Sequence, residues 1–134
     1  MRAALAGAFY FLVVYVVGFA LGTVRVLFVI PRLGATAAVL IELPFMLTAS
    51  WIACRLIVHR MAVAPGRSAR LAMGASAFTL LMLVETAVGA AAFGQPLAAQ
   101  IAALHQAAGL IGLGGQAMFA LFPLIQLEIS RHSG

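Results

Sequence analysis

Apolar residues run almost without interruption from Ala3 to Ile30, Ala35 to Val58, Leu71 to Phe93 and Leu97 to Ile129. Each run reaches or exceeds the roughly 20 residues that cross hydrocarbon as an α-helix, so the pattern predicts membrane spans rather than soluble core helices. The first run holds one charge, Arg25, and is closed by Pro31-Arg32-Leu33-Gly34, a tight link that predicts an antiparallel hairpin with the second. At about 1.5 Å per residue it is longer than a core of roughly 30 Å requires and is expected to tilt or protrude. Arg2 ahead of an apolar stretch containing Ala20-Leu21-Gly22 also suits a signal peptide, but the apolar run continues well past that tripeptide. The third run ends at Gly94-Gln95-Pro96, and the fourth is too long for one span. Within it Leu97, Ile101, Leu104 and Ala108 recur at helical spacing beside Gln100, His105 and Gln106, which predicts a short interfacial helix, and a last span follows from about Ala107 to Leu127. The reading is a single all-α domain over residues 1–134: a polytopic four-helix membrane bundle with a short interfacial helix before the last span.

Composition fixes the solvent. The chain is 65% hydrophobic and 8% charged, against about 25% charged residues in soluble domains, so the lipid bilayer is its first expected partner. A net charge of +5 would point to nucleic acid in a soluble protein. Here all the basic side chains are arginines placed around apolar spans, where they act as topology signals and anionic-lipid contacts, and no nucleic acid partner is expected. With four spans, Arg2, Arg55, Arg60, Arg67, Arg70 and Arg131 fall on one side and Arg32 on the other. The positive-inside rule then places both termini and the Arg60 to Arg70 loop in the cytoplasm of a multi-pass inner-membrane protein. A single cysteine, Cys54, excludes an intrachain disulfide and a multi-cysteine metal site; no metal or cofactor is expected.

Against that background the few intramembrane polar residues carry the chemistry. Glu42, Glu85 and Glu128 are the only acidic residues, and the first two lie deep inside spans, where a charge costs at least about 2.5 to 3.5 kcal/mol and marks a functional site by default. Counting residues from the span ends puts Arg25, Glu42 and Glu85 in one layer, roughly 8 to 12 Å below the boundary opposite the termini. Helical phase aligns Gly18 and Gly22 with Arg25, Ala35, Ala38, Ala49 and Ala53 with Glu42, and Gly74, Gly89 and Ala92 with Glu85. Small residues mark close helix contacts in membranes, so all three charges are expected to face protein and to meet. Arg25 balances one carboxylate; the second must find Arg32 or His105, or hold a proton, which makes it a candidate proton carrier. Pro44 leaves the Leu40 carbonyl without its helical donor beside Glu42, and Gln116 places a buried amide on the Ala108, Gly112, Ala120 face of the last span. The candidate polar site is therefore Arg25, Glu42 and Glu85, with Arg32, Pro44, His105 and Gln116 as contributors.

No HExxH, CxxC or phosphate-binding glycine loop is present. Ser76 and His105 lie at opposite ends of their spans and cannot form a nucleophile and base pair. No enzymatic activity is expected, with a lipid- or quinone-acting enzyme ranked third. The pattern fits best a small transporter or channel component for a proton, an ion or a small polar solute, and otherwise an accessory or assembly subunit of a larger membrane complex. The Gly18 and Gly22 pair also offers a face for a homo-oligomer.

Overall fold

In a computed structural model, which describes residues 2–133, the apolar runs become helices, and no strand occurs among the described residues. The first run forms α1 (Arg2–Val24), a π-helical turn (Arg25–Val29) and α2 (Ile30–Leu33), which follow one another without a break. Then come α3 (Ala35–Arg60), α4 (Arg67–Phe93), the short α5 (Leu97–Ala103) and α6 (Ala107–Ser133). Four helices, spanning Arg2–Leu33, Ala35–Arg60, Arg67–Phe93 and Ala107–His132, are long and apolar enough to cross a membrane, which suggests a multi-pass membrane protein.

The π turn has a local cause. Pro31 has no N–H, and its ring crowds the carbonyl four residues back, at Leu27. Widening the preceding turn relieves that crowding, and the Ile30 N–H bonds to the Arg25 carbonyl, one residue further back than in an α-helix. Gly34, at φ 87°, then reverses the chain into α3, a backbone conformation that side chains with a Cβ rarely adopt.

The long helices form a square in which α1 and α6 occupy opposite corners and each packs against both α3 and α4. The half of the bundle that holds the termini is closely packed. Tyr10 and Met73 are fully buried there beside Phe119 and Phe122. Glycines set the close approaches: a Cβ on Gly7 would overlap the Met73 carbonyl and the Ser76 hydroxyl, and one on Gly74 would overlap the Ala120 carbonyl. Ser76 donates to the Ala4 and Met73 carbonyls, at 3.2 and 3.0 Å.

Polar groups in this half are satisfied inside the protein. Pro123 removes the helical donor for the Phe119 carbonyl, and the Tyr10 hydroxyl replaces it at 2.7 Å while the two rings stack. Arg70, also buried, donates to the Pro123 carbonyl at 3.1 Å and tethers the loop through the Ala64 carbonyl at 3.4 Å. Gln126 donates to the Trp51 carbonyl at 2.9 Å. The outer surface inverts this pattern. Phe9, Val16, Phe28, Phe45 and Leu83 are all exposed, forming an apolar surface far larger than soluble monomers present to water.

Candidate functional site

In the half of the bundle away from the termini, the distal half, the helices part around a cavity of about 790 Å³. Glycines contribute to its lining. Gly18 and Gly22 line it from α1, and Gly112 and Gly115 from α6. A Cβ at Gly112 would meet nothing within 4 Å, and Gly22 has only the Arg25 guanidinium near it, at 3.7 Å. Of the small residues expected to bring helices together, Gly74 does so, as Gly7 does too; Gly22 and Gly112 border open space, while Gly18 and Gly115 line the cavity close against Met46 and Leu43 of α3.

The charged residues among those lining the cavity are Arg25, Glu42 and Glu85. Arg25 Nη1 donates to Glu42 Oε2 at 2.6 Å, joining the π turn to α3. The Arg25 side chain is 33% exposed and that of Glu42 13%, so the pair sits on the cavity wall rather than in packed protein. Among the described residues Glu85 has no ion-pair partner. Its two carboxylate oxygens accept from Gln116 Nε2 at 3.0 and 2.8 Å, joining α4 to α6, and the residue stays exposed to the cavity. The expected three-charge contact is therefore two separate pairs across one cavity: Arg25 with Glu42, and Glu85 with Gln116.

The remaining candidates are placed elsewhere. Arg32 is exposed near the end of α2, and His105 is exposed in the turn between α5 and α6; neither lines the cavity or pairs with Glu85. Pro44 sits on the exposed outer side of α3, and neither it nor Leu40 lines the cavity. A proline ring facing outward cannot present a freed carbonyl to the site through its own face. Its own carbonyl accepts from Thr48 Oγ1 at 2.7 Å.

Ser50 forms part of the cavity lining and was not singled out from the sequence, although Glu42, Met46 and Ser50 follow the four-residue spacing of one helix face. Gln95 also contributes, from the loop after α4. Towards the termini the cavity ends at Val14, Leu81 and Phe119, which belong to the close-packed apolar core. Gln100 of α5 donates to the Gln95 carbonyl at 3.1 Å and the Thr86 carbonyl at 3.4 Å, tying the short helix to α4 beside the opening.

Among the described residues no group of three His, Cys, Asp or Glu side chains is placed to hold a metal ion. The cavity's chemistry lies in one guanidinium, two carboxylates, one amide and a largely aliphatic and aromatic wall. No protein-family model matches the chain, and neither a curated protein nor a solved structure matches it.

Proposed function

We propose that the protein is a small inner-membrane transporter whose distal cavity is the solute site, held in a state that is closed towards the termini. The observation that carries this reading is the blind cavity of about 790 Å³ with Arg25, Glu42, Glu85 and Gln116 on its wall. A subunit that used its charges only to lock helices would keep them in packed protein, where burial is offset by pairing. Here both pairs border open space, and transport substrates bind in such polar interruptions of a membrane interior. A continuous pore is disfavoured by the apolar plug of Tyr10, Met73, Phe119 and Phe122 beneath the cavity. Gly18 and Gly22 line this cavity, so we read them as part of the solute site rather than as a face for a second copy. Proton or ion coupling falls to Glu85, the carboxylate without an ion-pair partner.

Alternating access is the property to test. In a protein with Cys54 replaced by Ala and reconstituted in vesicles, a cysteine at Val88 in the cavity should react with an impermeant thiol reagent from the distal side. A cysteine at Ala77, in the plug, should react slowly from the side of the termini as the bundle rocks. A reactive Val88→Cys beside an inert Ala77→Cys would favour the accessory-subunit reading, because the cavity would then never open the other way.

A further inference from the structure

The cavity's charge and wall together select a class of cargo. Resting on the reading of this cavity as a solute site, we propose that it takes a lipophilic organic monocation, with Glu85 as the counter-charge. One guanidinium against two carboxylates leaves one negative charge unbalanced, and the Arg25 to Glu42 bond at 2.6 Å assigns that surplus to Glu85. The carboxylate is reachable, since Glu85 is exposed and held only by the Gln116 amide. An amide donor orients a carboxylate without neutralising it, so a cationic ligand supplies what the site lacks.

Size and wall chemistry decide between a bare ion and an organic cation. A volume of about 790 Å³ lies within the roughly 300 to 1,000 Å³ of pockets that enclose whole organic ligands. Leu43, Met46, Leu81 and Phe119 line it with carbon, which would leave a small hydrated ion poorly coordinated but would cover an apolar body. Phe19, Val26 and Leu27 line the cavity while being 62%, 55% and 61% exposed, so its margin is continuous with the outer apolar face of the first helix. A lipophilic cation already dissolved in the bilayer can reach Glu85 by that flank.

Tetraphenylphosphonium is a suitable probe, and tetraphenylborate is a control of the same shape and opposite charge. Equilibrium binding to the purified full-length chain in detergent should be saturable for the cation and absent for the anion. Glu85→Asp, which keeps the charge, should bind the cation nearly as well as the parent. Glu85→Gln, which is isosteric and still bonds to Gln116, should bind it about tenfold more weakly or worse, the loss expected for one partly buried charge pairing. Elution position and thermal melting establish that both variants are folded, and Val39→Trp, which fills the cavity from α3 rather than from the helix that carries Glu85, should also abolish binding. Equal binding of the two probes, or an unchanged affinity in Glu85→Gln, overturns the assignment. The cysteine experiment separates the two readings. Charge-selective binding with an inert Ala77→Cys would leave the cation site and remove transport, whereas a reactive Ala77→Cys without charge selection would remove the cation assignment alone.

Discussion

A proline inside a helix leaves one carbonyl without its donor, and the chain treats two such residues, Pro123 and Pro44, differently. At Pro123 the orphan is the Phe119 carbonyl, buried in the core, and the Tyr10 hydroxyl reaches across the bundle diagonal to bond it at 2.7 Å. At Pro44 the ring faces outward and no side chain among the described residues is placed on the Leu40 carbonyl. The vacancy left by Pro123 is readable from the sequence, because the rule is local. The group that fills it is not, because Tyr10 lies 109 residues away from Phe119 along the chain. Gln116 illustrates the same limit: helical phase turns it inward, but its choice of Glu85 depends on how α4 and α6 meet. Tyr10→Phe keeps the ring stack and removes only the hydroxyl, so it should destabilise the protein by about 1 to 3 kcal/mol, the cost of a buried acceptor left unpaired. In a Pro123→Ala background the restored N–H supplies the missing bond, and the loss should fall below about 1 kcal/mol. Thermal melts of the four proteins complete the cycle. Equal losses in both backgrounds would show that Tyr10 is not the replacement donor.

Glycine decides the shape of the helices at the next scale, and its meaning changes along each one. On α4, Gly74 lets the backbone come against Ala120; on α6, Gly112 faces open space. Small residues at helical spacing are visible in the sequence, but the same pattern serves close packing and cavity lining, and only the relative tilt of neighbouring helices separates them. The π turn was hidden for a related reason. Pro31 was legible as the end of the first span, but the widened turn beneath it, which begins at Arg25, reflects crowding that periodicity does not register. Gly74→Ala should lower the melting temperature by several degrees, since a Cβ there meets backbone and α4 must move away from α6, an overpacking cost of about 1 to 3 kcal/mol. Gly112→Ala should melt at the parent temperature or slightly above it, because the new methyl enters empty space and the helix loses a flexible residue. If both changes were equally harmful, the division into a packed half and an open half would not hold.

For the whole molecule, the four long apolar helices, the tight hairpin at Gly34 and the short helix before the last of them were all legible from apolar run lengths and turn residues. Counting residues at a fixed rise also brought Arg25, Glu42 and Glu85 into one neighbourhood, and the three do line one cavity. The cavity itself was not legible, since it arises from helices diverging above a packed core. Its orientation joins the two kinds of inference. On the arginine asymmetry we propose that both termini are cytoplasmic; the cavity lies in the opposite half, so on that reading the site should face outward from the cell. A cysteine at Gln95, which lines the cavity from its loop, should react with an impermeant reagent added outside intact cells, and one at Ser68, exposed at the start of α4, should not. The Arg67 to Glu128 pair, at 2.7 Å, would then lie at the cytoplasmic surface. There water and salt screen it, and its loss should leave the melting temperature essentially unchanged. The reverse labelling pattern would leave the cavity intact but turn it towards the cytoplasm, making the protein a site for solutes leaving the cell rather than arriving from outside.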